Sequence, residues 1–121
     1  MPVRSYGYPR RVRLSGRLAF AAVYERGAKH SRGPLTAFSA PNQLKHCRWG
    51  FSVSRRVGTA VRRNRIKRLL RESIRLSPNE LPGGYDVVIV VRPHEPLALG
   101  QYQSLVSQLL IKIRDRWNTI K

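Results

Sequence analysis

Ala60-Val61-Arg62-Arg63-Asn64-Arg65-Ile66-Lys67-Arg68-Leu69-Leu70-Arg71-Glu72-Ser73-Ile74-Arg75-Leu76 is the stretch on which the reading of this chain turns. At 3.6 residues per turn, Asn64, Arg68, Arg71 and Arg75 fall at i, i+4, i+7 and i+11 on one side of a helix, flanked by Arg65 and Lys67. Ile66, Leu69, Leu70, Ser73 and Ile74 fall on the other side and predict a core-facing stripe. The cations of the polar side repel one another unless a polyanion neutralises them. Phosphates do so by accepting bidentate bonds from arginine and releasing their counterions. An exposed helix can be charged simply to stay wet, but such faces mix signs. Only Glu72 interrupts this run, so the i,i+4 acid–base pairs of an ordinary surface helix are nearly absent. The pattern favours a phosphate-binding face.

The whole chain repeats that bias, with 24 Lys and Arg against 6 Asp and Glu and a formal net charge of +18. A membrane surface is the competing anion. The longest uninterrupted aliphatic run, Val87 to Val91, is far shorter than the roughly 20 residues a spanning helix needs. No hydrophobic signal region follows Met1. Residues Met1 to Arg13 are Arg-rich and acid-free but broken by Pro2, Gly7 and Pro9, so they read as a basic arm rather than a targeting peptide. Behind that arm, residues 14–121 are expected to form a single RNA-binding domain. The lone Cys47 cannot make an internal disulfide, which suits a reducing, cytoplasmic compartment.

Outward from the basic helix, the elements follow from periodicity and punctuation. Ser15 is a candidate N-cap for a helix to about Arg26, with Gly27 as a left-handed stop and Phe20, Val23 and Tyr24 on one face. Leu35 to Ala40 reads as extended. Arg48 to Ser54 alternates Trp49, Phe51 and Val53 with polar or small residues, and the two runs suggest an antiparallel pair. Pro78 to Gly84 is a turn-rich break. Tyr85 to Arg92 is continuously apolar in its middle, as in a central strand covered on both faces. The last helix, near Gln101 to Thr119, carries Tyr102, Leu105, Val106, Leu109, Leu110, Ile113 and Trp117 at helical spacing. The expected order is αββαβα, an α+β sandwich.

No catalytic constellation is visible. Glu25, Glu72, Glu80, Asp86, Glu95 and Asp115 are scattered over different elements, whereas two-metal nucleases cluster their carboxylates. His30, His46 and His94 are isolated, each in an expected loop, and none belongs to an HExxH or CxxC pattern. The chain reads as a binder whose chemistry belongs to its partner.

From Phe51 through Glu72 the chain closely resembles the bacterial ribonuclease P protein component. The signature is Arg63-Asn64-Arg65, followed by Lys67, Arg68 and Arg71 and preceded by Gly58 and Ala60-Val61. The similarity extends from Leu14 to the last helix, leaving out the arm before Arg11 and the loop around Asn42 to His46. Arg55-Arg56 stand where lysines often occur in the family, which keeps charge and changes donor geometry.

The resemblance implies a protein subunit of ribonuclease P that assists a catalytic RNA in removing the 5′ leader of precursor tRNA, with Mg²⁺ held mainly by the RNA. It implies a fold like domain 2 of ribosomal protein S5, with a left-handed βαβ crossover that periodicity cannot report and that opposes the usual hand. Arg55, Arg56, Arg62, Arg63, Asn64, Arg65, Lys67, Arg68, Arg71 and Arg75 are the implied contacts to catalytic-RNA phosphates. Phe20, Tyr24 and Phe38 are the implied leader-binding aromatics, with Arg17, Arg48 and Arg92 as supporting cations. Read from the residues alone, Phe20 and Tyr24 at i,i+4 favour an ordinary packing stripe, a preference that the resemblance reverses. Aromatics beside cations on a sheet surface also suit single-strand binding, where bases stack on rings and cations follow phosphates. A structural-RNA-binding protein of the ribosomal kind and a protein-only endonuclease are the rival functions. The density of the signature argues against the first and the scattered carboxylates against the second.

Overall fold

Val87-Val88-Ile89-Val90-Val91 cannot solvate either face of a strand, and the fold places this run in the interior of a four-stranded sheet. The structure, a computed structural model, describes residues 13–77 and 84–118. The basic arm up to residue 12 and most of the Pro78 to Gly84 break lie outside the described residues. The elements are α1 (Arg17–Arg26), β1 (Ala28–Arg32), β2 (Leu35–Pro41), β3 (Arg48–Val53), a 3₁₀ turn (Arg55–Val57), α2 (Ala60–Leu76), β4 (Tyr85–Val91) and α3 (Leu99–Asn118). The strand order is β1-β2-β4-β3, with β4 antiparallel to β2 and parallel to β3.

Alternation along the strands sends side chains to two separate apolar layers. Leu35, Ala37, Val87, Ile89 and Val91 join Ile66 and Leu70 of α2 and Tyr102, Val106, Leu109, Leu110 and Ile113 of α3. On the opposite face Val88 packs with Leu14 and with Val23 of α1, and Phe20, Phe38 and Val90 lie against that smaller cluster. The two periodic helices thus bury the stripes their spacing predicts. Thr59 caps α2, its hydroxyl accepting from the Arg62 amide at 3.2 Å. Trp117 closes α3 onto the sheet by donating to Ser39 Oγ at 3.0 Å. Among the described residues no helix is long and apolar enough to cross a membrane.

The expected α+β class holds, and five local expectations are corrected. The order contains an additional strand, because Ala28–Arg32 pairs with β2 through Gly33 and Pro34. It is an edge strand whose sequence, Ala-Lys-His-Ser-Arg, carries almost no apolar alternation; the backbone ladder supplies its pairing. His30 accordingly lies on β1 rather than in a loop. The expected antiparallel pair of β2 and β3 does not form, since β4 intervenes and takes a ladder on each side. Helix α1 starts after Gly16, with no side-chain cap, instead of being capped by Ser15. Gly27 does end α1, but in an extended conformation with φ −86°. Its lack of a side chain answers to space: a Cβ there would lie 2.4 Å from Val23 O and 2.8 Å from Ser39 O.

One polar network pins the β2–β3 loop to the start of β4. Arg48 donates two bonds to Asp86, at 2.8 and 2.7 Å, and Asn42 Nδ2 donates a third at 2.8 Å. Burial would raise the Asp86 pKa, but these donors together hold it below the ordinary aspartate value. The stabilisation is therefore complete above the unfolded-state pKa and lost as pH falls through the lower folded-state value, in the acid range under about pH 4. Asp86→Ala removes the acceptor of all three bonds at a site where Arg48 keeps 36% of its side-chain surface exposed. A loss of about 1–3 kcal/mol is expected, less than for a fully buried pair. Urea unfolding of the variant at pH 7 and of the wild type between pH 2 and 5 checks both the size and the pH window.

Candidate nucleic-acid interface

The signature helix presents its polar residues in two ways. Asn64, Arg65, Arg68 and Arg75 are exposed, as are Arg55 and Arg56 on the 3₁₀ turn leading into α2. Arg62, Arg63, Lys67 and Arg71 are half-buried. Arg63 Nε donates to Gly58 O at 3.1 Å, tying the helix start to the preceding turn. Arg62 faces Glu95 at 3.7 Å. Arg75 is held by Glu72 through bonds of 3.0 and 2.5 Å, which fixes its fork at the C-terminal end of the row. The Arg71 guanidinium lies 5.5 Å from the Phe51 ring centre, a cation–π contact, so its stem packs on β3 as well as carrying charge. The expected stripe is present, with Arg65, Arg68 and Arg75 exposed and Arg71 turned toward the sheet.

The aromatic residues gather on the other face of the sheet. Helix α1 is only ten residues long and covers one end of that face. Beside it lies a cleft of about 470 Å³ lined by Arg17, Phe20, Tyr24 and Ser52. Tyr24 meets Phe20 edge-on at 6.3 Å between ring centres and Phe38 at 4.9 Å. Phe20 and Phe38 are half-buried against Leu14, Val23 and Val88, while Tyr24 keeps 39% of its surface. Packing and exposure are thus divided among the three rings. Lys29 Nζ stands 5.9 Å from the centre of the Phe38 ring. Lys29 and Ser52 were not anticipated. Lys29 is the register partner of Phe38, a position invisible until β1 is recognised as a strand.

The three cations expected beside the aromatics are dispersed. Arg17 lines the cleft. Arg48 lies with Arg26 and Asp86 in a separate cavity of about 390 Å³ and is engaged by Asp86. Arg92 is beyond the far end of β4, where its guanidinium donates to Gly33 O in the β1–β2 turn. Val88 pairs with Phe38, so Arg92 is displaced by roughly 13 Å along the strand, at about 3.3 Å per residue.

A third cavity, of about 290 Å³, joins the two surfaces. Phe20 and Gly16 line both it and the aromatic cleft, and Lys67 and Arg71 of α2 line its other side. Chemically, the combination offers ring faces for bases and a path of cations for phosphates. Among the described residues no three His, Cys, Asp or Glu side chains come together in a group that could hold a metal ion.

The profile of the family described as Ribonuclease P matches residues 8–114. A ribonuclease P protein component from Desulfovibrio desulfuricans is 40% identical over 114 residues, covering 93% of this chain and 88% of the relative. Another from Methylococcus capsulatus is 43% identical over 93 residues, covering 76% and 72%. The structure of the RNase P protein from Thermotoga maritima superposes with a TM-score of 0.76 at 27% identity, over 84% of this chain and 96% of that one. That from Staphylococcus aureus gives 0.73 at 27% identity, over 84% and 94%.

Gly50 holds the cleft geometry, because a Cβ there would lie 2.6 Å from two Phe20 ring atoms and 2.9 Å from Leu14 O. Gly50→Ala is expected to displace the ring and cost about 1–3 kcal/mol, as overpacking does. Gly100→Ala, whose Cβ meets nothing within 4 Å, is expected to be neutral or stabilising. Denaturant unfolding of both variants checks the contrast.

Proposed function

This chain belongs to the ribonuclease P protein family, a component of a tRNA-processing endoribonuclease, and on that premise we propose how it serves that enzyme. Helix α2 holds the catalytic RNA through Arg65, Arg68 and their neighbours. The aromatic cleft holds the single-stranded 5′ leader of precursor tRNA. The reaction belongs to the RNA, which also holds the Mg²⁺, and the protein works in the cytoplasm as a binding subunit. The observation that carries this reading is the shared wall: Phe20 borders both the aromatic cleft and the cavity reaching Lys67 and Arg71. A strand stacked on Tyr24 and Phe20 can therefore pass its phosphates directly to α2. A leader lying there is brought beside the RNA that cuts it.

Two measurements test the division of labour. Purified protein in Mg²⁺ is expected to leave precursor tRNA intact, and addition of the catalytic RNA to give cleavage at the mature 5′ end; specific cleavage by the protein alone would overturn the reading. Arg65→Ala with Arg68→Ala is expected to weaken assembly with the catalytic RNA at unchanged circular dichroism, since both side chains are exposed. The log–log salt slope should fall by somewhat over one unit, at about 0.7–0.9 for each phosphate the protein no longer neutralises.

Tyr24 separates leader binding from packing better than its half-buried neighbours. Tyr24→Ala is expected to cost well under the roughly 3–5 kcal/mol of a truncated core aromatic. It should cost about 1–3 kcal/mol in affinity of the assembled enzyme for precursor tRNA, if the ring stacks on a base. The loss should vanish for mature tRNA. Binding across a series of leader lengths, with melting temperatures alongside, reads both quantities.

A further inference from the structure

The sheet edge opposite α2 carries a second group of cations. On β1, alternate residues His30 and Arg32 face α3, and on α3 Lys112 and Arg116 are one turn apart along that strand. The end of α3 that bears them is fixed over the sheet by the bond from Trp117 to Ser39, and the Arg116 guanidinium lies 5.6 Å from the Trp117 ring centre. His30 Nδ1 is buried without a hydrogen-bond partner. Burial, together with Lys112, Arg116 and Arg32, pushes the imidazole pKa below its ordinary value, in keeping with the packing of this face of β1 against α3.

The acids of the described residues are committed elsewhere. Asp86 binds Arg48, Glu95 faces Arg62, Glu72 holds Arg75 and Asp115 faces Arg114 at 3.6 Å. Glu25 lies on α1, across the sheet. A cation near a helix C-terminus is favourable in itself, which accounts for Arg116. It does not account for Lys112, more than a turn from the end of α3, or for Arg32 on the strand.

We propose that His30, Arg32, Lys112 and Arg116 form a second phosphate-binding surface, which grips the backbone of an RNA strand on the β1–α3 edge. This surface is separated from β3, where α2 begins, by three strand spacings, about 14 Å. Lys29 points from the same strand to the other face, over Phe38. Strand β1 therefore presents cations to both sides, and a backbone leaving the aromatic cleft over Lys29 can turn around the edge onto Lys112. The phosphates belong either to the part of the leader beyond the cleft or to a segment of the catalytic RNA. The proposal rests on the ribonuclease P reading given above.

The test is Arg32→Gln with Lys112→Gln, in two arms. One measures assembly with the catalytic RNA as a function of salt; the other measures binding of precursor tRNA with short and long leaders by the assembled enzyme. Lys45→Gln, an exposed cation in the β2–β3 loop, controls for net charge, and Arg65→Gln with Arg68→Gln serves as the α2 reference. Weaker binding with a salt slope lower by somewhat over one unit is expected in one arm, at about 0.7–0.9 per phosphate. A loss in the first arm assigns the phosphates to the catalytic RNA, and one confined to long leaders assigns them to the leader. Unchanged binding in both arms, or a loss per charge no larger than that of Lys45→Gln, overturns the proposal. If the α2 reference also leaves assembly unchanged, it is the ribonuclease P reading that fails.

Discussion

The double-sided burial of β4 is the constraint from which the rest of the molecule follows. A strand that pairs on both edges and is apolar on both faces requires cover above and below. The cover is unequal: α2 and α3, of 17 and 20 residues, lie on one face, and α1, of ten, on the other. The longer pair completes the main core. The shorter helix leaves part of its face open, and Phe20 and Tyr24 line the cleft there, with Phe38 packed behind Tyr24. The cleft is a consequence of how little α1 covers.

Electrostatics impose the second condition. With a net charge of +18 the folded chain repels itself, and the four ion pairs among the described residues remove little of that. Only the Arg48–Asp86 pair joins distant parts of the chain through a mostly buried acid; it serves the fold. The exposed arginines of α2 serve no packing need. On the proposed function, their cost in the free protein would be recovered when phosphates become their neighbours and counterions are released.

The elements legible in the sequence are those whose periodicity and burial agree. Helices α2 and α3 and strand β4 each bury the side chains their spacing selects, because their neighbours are apolar enough to decide the matter. Strand β1 is not legible, since an edge strand made of Ala, Lys, His, Ser and Arg depends on a ladder to β2 that no local pattern announces. Pairing misleads for a related reason: adjacency in sequence suggests β2 with β3, whereas the apolar content of β4 makes it the better partner for both. Gly27 reads as a stop, but its steric cause, the approach of Val23 O and Ser39 O, is tertiary.

The site shows the same division. The α2 row can be read from one helix, but whether an aromatic on α1 packs or stacks depends on what lies across from it. Here Phe20 and Phe38 are anchored in the smaller core, and Tyr24 rests on them edge-on and more exposed than either. That arrangement has a consequence for binding. Tyr24 is oriented by two rings that are themselves fixed by Leu14, Val23 and Val88, so a base meeting it has little side-chain freedom left to suppress. Immobilising a mobile side chain at an interface costs about 0.5–1.5 kcal/mol, and prior packing meets much of that during folding. The half-burial that makes these aromatics ambiguous in the sequence is what makes them suitable as a stacking surface in the fold.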